Sequence, residues 1–206
     1  MAPRHNHPAK QQRKSQTEID SFVRIIGGEW RSRKLAFPES EGLRPTPDRV
    51  RETLFNWLQG YTAGARCLDL FSGSGALSFE ALSRGAAHAT LIDASGKVCQ
   101  FLKQNLHTLK AQNAEVLQLD AAQWLSQKAL TGTTPFDLVF LDPPFNKGFL
   151  EPTCRMLEEN QILADGAMVY IESESTLGVP QVPENWSLHR EKQAGQVSYR
   201  LYKRDL

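Results

Sequence analysis

The sequence predicts an α/β fold: a seven-stranded, mostly parallel sheet ending in an antiparallel C-terminal hairpin, with a β-hairpin and a helix as an N-terminal extension. Three features carry this prediction. Between residues 66 and 172, short apolar runs alternate with stretches of helical periodicity, the pattern of parallel strands joined by crossover helices. Asp69, Asp93, Asp120 and Asp142 stand at or near the ends of four successive runs, so one rim of the sheet gathers carboxylates. Near the C-terminus the alternation stops, and Trp186–Glu191 and Val197–Tyr202 flank Gly195 as an edge hairpin.

Each element has its own justification. Residues 1–18 are polar and basic with few large apolar side chains, and disorder is expected over a tail of residues 1–20. Residues 21–60 form the extension. Phe22–Ile26 and Glu29–Leu35 read as strands around Gly27-Gly28. After a loop at Gly42–Pro47, Thr46 caps a helix with Pro47 at its first position, and Val50, Leu54, Phe55 and Leu58 share one face. Residues 61–206 form the main domain. Its strands are Arg66–Phe71, Ala89–Ile92, Ala114–Leu119, Phe136–Leu141 and Met168–Glu172, separated by helices over Gly75–Ser83, 96–109, Ala121–Lys128 and 148–160.

Composition narrows the function classes. The 206 residues suit one domain with a small appendage, and the net charge of +1 conceals an asymmetry. Residues 1–51 hold eleven Lys/Arg against six Asp/Glu, leaving 13 against 17 for the remainder. A basic N-terminal surface facing a polyanion follows, and Arg24, Arg31, Arg33, Lys34, Arg49 and Arg51 are its candidate phosphate contacts. Arg49 and Arg51 also suit local ion pairs with Asp48 or Glu52. Cys67, Cys99 and Cys154 are odd in number and far apart, and no C-x-x-C or His-x-x-His pairing exists. Reduced thiols, no metal, no membrane association and a cytoplasmic location are the expectations.

The turn Asp69-Leu70-Phe71-Ser72-Gly73-Ser74-Gly75 places two glycines between a strand and a helix. Gly73 and Gly75 allow tight backbone approach. A dinucleotide fingerprint needs a third glycine at the position of Ser78, and an acid at Asp69 repels phosphate. A cation gains from that acid instead. S-adenosylmethionine, with its sulfonium and ammonium, fits: Asp69 and Phe71 lie beside the turn, Asp93 accepts from ribose hydroxyls, and Asp120 with Ala121 meets the adenine. Each aspartate alone also suits a helix N-cap; four together with the glycine turn favour a ligand-binding rim.

The fourth run ends in Asp142-Pro143-Pro144-Phe145. Two prolines stiffen the turn and hold its carbonyls, and Phe145 offers a ring above the sheet. Acceptors beside an aromatic face suit a planar ring bearing an exocyclic amine. The tetrapeptide resembles the D/N-P-P-F/Y signature of methyltransferases that act on nucleobase amines. The order of motifs is similar to class I, Rossmann-like S-adenosylmethionine-dependent methyltransferases. Within that class, Arg24–Leu35, Leu43–Asn56 and Ala81–Ala86 resemble the RsmD family.

The resemblance implies methyl transfer to guanine N2 in 16S rRNA, with S-adenosylhomocysteine as product and a small-subunit assembly particle as substrate. It implies that Arg44-Pro45-Thr46 closes over the methionine end of the cofactor; Arg44 contacting RNA phosphate is the alternative. Catalysis falls to Asp142, Pro143 and Phe145, with Asp142 also facing the cofactor. A monomer is expected. The rival readings are a DNA adenine-N6 methyltransferase, which D-P-P-F serves equally well, and a noncatalytic cofactor-binding scaffold for RNA assembly.

Overall fold

The computed structural model describes residues 21–38 and 45–205. The expected tail and Arg44 lie outside the described residues. In chain order the elements are β1 (Ser21–Arg24), β2 (Lys34–Phe37), α1 (Asp48–Trp57), β3 (Arg66–Asp69), α2 (Ala76–Ser83), β4 (His88–Asp93), α3 (Gly96–Leu109), β5 (Ala114–Gln118), α4 (Ala121–Thr131), β6 (Phe136–Leu141), α5 (Leu150–Glu159), β7 (Leu163–Glu174), β8 (Trp186–Ala194) and β9 (Val197–Arg204). β3 to β9 form a seven-stranded sheet in the order β5-β4-β3-β6-β7-β9-β8, parallel except at β9 and β8.

Strand alternation divides the core. Cys67, Leu91, Leu138, Phe140 and Tyr170 face the side covered by α1, α2 and α3, while Leu68, Leu70, Ile92, Val139 and Ile171 face α4 and α5. The same period carries Asp69, Asp93, Asp142 and Glu172, two residues beyond Cys67, Leu91, Phe140 and Tyr170, onto the first face at the carboxyl rim. Antiparallel β9 lies between β7 and β8, and β8 forms that edge of the sheet.

The N-terminal hairpin corrects the sequence reading. β1 pairs with β2 from Ser21↔Phe37 to Arg24↔Lys34, so Glu29–Arg33 is loop and the strands do not turn tightly at Gly27-Gly28. The reason lies on α2. The Ile26 and Gly27 N–H groups donate to the fully buried Glu80 carboxylate at 2.8 Å each, and Trp30 N–H donates to Ser83 Oγ. Glu29 N–H reaches the Ser83 carbonyl. These backbone donors serve the helix rather than a strand ladder. A Cβ at Gly28, where φ is +76°, would lie 1.8 Å from the Ser83 carbonyl oxygen, so only glycine permits this docking.

Two further corrections concern the extension. Thr46 caps no helix: Pro47 occupies the cap position, and Thr46 is buried with its hydroxyl donating to Glu172. Arg51 is 1% exposed and is not a phosphate contact. Its guanidinium binds Asp48 at 2.6 Å, Glu80, and the carbonyls of Arg24 and Thr46. The local ion pair is the reading that holds for Arg51.

Candidate active site

β3, β6 and β7 are neighbours, and they bring Asp69, Asp142 and Glu172 to one rim. Asp69 is buried and accepts from Ser78 Oγ at 2.7 Å. Burial pushes its carboxyl up to about 7; bonds from Ser78 and the Phe71 N–H oppose the rise, and the Asp93 charge adds to it. Asp142 is held well above the usual carboxylate range, first by loss of solvation and then by the charges of Glu172 and Asp69. Glu172 is also raised by burial, against hydrogen bonds from Thr46 Oγ1 at 2.8 Å and Tyr170 Oη at 2.9 Å.

Among the described residues no lysine or arginine pairs with any of these three acids. Burial raises these gathered carboxyls, with neighbouring acid charges adding at Asp69 and Asp142, and a cationic ligand stabilises their ionised forms. The sulfonium and ammonium of S-adenosylmethionine meet that requirement. The glycine turn leads into α2 beside them. Gly75 has φ +74°, and a Cβ there would lie 2.3 Å from the Phe79 ring and 2.6 Å from Leu102. Gly73 N–H donates to Asp93 Oδ2 at 2.9 Å, and Ser95 N–H to Oδ1 at 2.8 Å. Each Asp93 oxygen retains a lone pair for a ribose hydroxyl.

Asp120 stands differently. β5 ends at Gln118, and Asp120 caps α4 by accepting from the Ala122 and Gln123 N–H groups through Oδ1. It is exposed beside the buried Ala121. Phe71 is half-buried, its ring stacked on Phe149 at 6.2 Å between centroids.

The Pro-Pro turn leaves Pro143 buried and Phe145 36% exposed at the lip. A cleft of about 140 Å³ opens between this turn and the end of β7, lined in part by Pro143, Pro144, Phe149, Glu172, Glu174 and Leu177. Phe145 is not among its lining residues. Asn146, with φ +58°, donates its N–H to Glu174 Oε1 at 3.1 Å and ties the turn to β7.

Sequence reasoning missed Glu172 and Tyr170. The available signal was the same one that marked Asp142: Glu172 ends the apolar run Met168–Ile171.

Arg31, Arg33, Lys34 and Arg49 are exposed. Arg24 is exposed too and pairs with Asp48 at 2.9 Å. The loop carrying Arg31 and Arg33 docks at the C-terminal end of α2, about 12 Å of helix from the rim.

Residues 23–203 match a family model described as "Conserved hypothetical protein 95". The "Ribosomal RNA small subunit methyltransferase D" of Escherichia coli (strain K12) is 60% identical over 183 residues, 89% of this chain and 90% of the relative. The chain belongs to the RsmD family. A solved structure described as a putative methyltransferase yhhF from Escherichia coli matches at TM-score 0.83 and 57% identity, over 90% of this chain and 99% of that one. A putative SAM-dependent methyltransferase from Streptococcus mutans, 14% identical, matches at TM-score 0.70 over 89% of this chain and 55% of its own, a likeness of fold. This RsmD-family chain has the Rossmann-like class I methyltransferase fold. Among its described residues, no helix is long and apolar enough to cross a membrane and no group of side chains suits a metal ion.

Proposed function

We propose that the protein transfers a methyl group from S-adenosylmethionine to the exocyclic N2 amine of a guanine in 16S rRNA. The observation that carries this reading is the junction of β6 with the Pro-Pro turn. There Asp142 and Pro143 follow directly on β6, and the charges of Glu172 and Asp69 lie close enough to Asp142 to raise it. Relatives named as small-subunit ribosomal RNA methyltransferases support the choice of rRNA.

The amine lone pair is delocalised into the guanine ring, so the chain's task is to orient it. Asp142 and the Pro143 carbonyl accept the two N–H bonds, draw nitrogen toward tetrahedral geometry and aim its lone pair. Phe145 at the lip stacks on the base. Asp69 binds the cofactor's ammonium end, Asp93 the ribose hydroxyls, and Phe71, Gly73, Gly75 and Ala121 frame the remainder. Asp120 meets the adenine amine with the lone pairs its cap leaves over. Thr46 and Arg44 belong to the segment over the methionine end. Bound S-adenosylmethionine supplies an electrophilic methyl: a carbon–nitrogen bond forms as the carbon–sulfur bond breaks, giving S-adenosylhomocysteine. The proton leaves nitrogen for Asp142 or water. Positioning supplies much of the acceleration, with effective molarities of about 10⁵–10⁸ M in good cases.

A paired base cannot enter such a cleft, so the target is unpaired or flipped out. Arg24, Arg31, Arg33, Lys34 and Arg49 track the flanking phosphates, with the loop of Arg31 and Arg33 about one α2 length from the rim. A monomer acting on a small-subunit particle in the cytoplasm suits this footprint. The test is labelled methyl transfer to small-subunit particles from an undermethylated strain, followed by nucleoside identification. N2-methylguanosine is expected; N6-methyladenosine would overturn the assignment. Asp142→Ala should bind S-adenosylmethionine within a few-fold of wild type yet lose turnover.

A further inference from the structure

We infer that Glu172 reads the N1–H of the target base and makes the site select guanine over purines that lack this proton. The inference rests on the proposed function and names the specificity determinant of the same site. D-P-P-F itself leaves the choice of amine open, because Asp142 and Pro143 offer acceptors to any NH2 group.

Glu172 is 4% exposed, yet it lines the cleft beside Pro143. Its Oε1 accepts from both Thr46 Oγ1 and Tyr170 Oη, which fixes the carboxylate's orientation. Its Oε2 bonds to no other described residue. β6 and β7 pair through Leu141↔Ile171, the residues just before Asp142 and Glu172, and the Glu172 charge raises Asp142, so the two acids are near neighbours at the rim.

Guanine presents N2–H2 and N1–H as adjacent donors. With N2 held by Asp142 and Pro143, the neighbouring acceptor meets N1–H. Adenine and 2-aminopurine carry a lone pair at N1, and a carboxylate facing it repels them. A buried acceptor left without its donor is costly, which is why sites built on such a bond discriminate well. Thr46 gains a role by the same route: it steadies the reader from the segment that precedes α1.

The experiment compares kcat/KM for particles carrying guanine or 2-aminopurine at the target position. 2-Aminopurine keeps the N2 amine and lacks only N1–H and the carbonyl at C6; inosine, which lacks the N2 amine, serves as the blank. Wild type should prefer guanine by about 100-fold or more. Glu172→Gln retains an oxygen for Thr46 and Tyr170 but turns an amide donor toward N1. It should lose about 10–100-fold on guanine and gain on 2-aminopurine, so the preference collapses or inverts. Equal losses on both substrates would mark a merely structural role and overturn the inference. So would a wild-type preference near unity, a measurement that needs no variant to fold. Absence of N2-methylguanosine with wild type would instead overturn the proposed function.

Discussion

Replacing Glu80 by alanine removes a side chain on which the N-terminal loop, α1 and α2 converge. Glu80 is fully buried and accepts from Ile26 N–H and Gly27 N–H at 2.8 Å, Arg84 Nε at 2.7 Å and Arg51 Nη1 at 3.5 Å. Alanine leaves two backbone donors without partners, at about 1–3 kcal/mol each, with the low end applying because both residues keep partial water access. Arg51 keeps Asp48 at 2.6 Å, so its loss falls below the roughly 3–5 kcal/mol of a fully broken buried pair. The sum is about 4–5 kcal/mol, a large part of the roughly 5–15 kcal/mol that holds a domain together. Thermal unfolding should fall by roughly 8–20 °C. Glu80→Gln, which retains an acceptor oxygen, should cost about half as much. Hydrogen exchange should show the amides of 25–33 losing protection before those of β3 and β6. A loss under about 1 kcal/mol with protection of that loop intact would refute the role given to Glu80.

Three further outcomes follow from the same geometry. Asp69 titrates near pH 7, and a cationic ligand favours its ionised form, so affinity for S-adenosylmethionine should fall as pH drops through that value. Asp69→Asn should bind weakly without this dependence; wild-type affinity that is flat between about pH 6 and 8 would count against it. Charge reversal of Arg31 and Arg33 should weaken RNA binding and reduce the salt slope by about 0.7 for each phosphate no longer neutralised, as read by titration at several ionic strengths. Glu158 is depressed to about 2, chiefly by hydrogen bonds from Arg204 and then by those from Trp186 and Asn185. Its folded value lies below the ordinary 4.5, so the ionised form stabilises the fold at neutral pH and that contribution is lost as pH falls through about 2. Glu158→Gln should therefore flatten the acid limb of a denaturation curve.

Legibility varied with the kind of interaction involved. The parallel strands were readable because buried strands are continuous apolar runs, and β6 has the expected bounds. Asp69, Asp93 and Asp142 were readable because strand ends show in the chain. β5 ends at Gln118, one residue short of the expected Leu119, and the Asp120 carboxylate caps α4. The hairpin loop failed because its partners, Glu80 and Ser83, lie more than fifty residues away. Arg51 failed because charge in a sequence looks the same whether solvated or buried, and only packing put it among Asp48 and Glu80.

Order along the chain was enough for the fold class, the family likeness, and the placement of a glycine turn and an Asp-Pro-Pro-Phe turn on one rim. These follow from local periodicity and turn chemistry, which act over a few residues. It took packing in three dimensions to join Glu172 to Asp69 and Asp142, to bind Thr46 to Glu172 instead of a helix end, and to seat the arginine-bearing loop at the far end of α2. Strand order and the face on which each side chain emerges govern those outcomes, and neither is written in nearest neighbours along the chain.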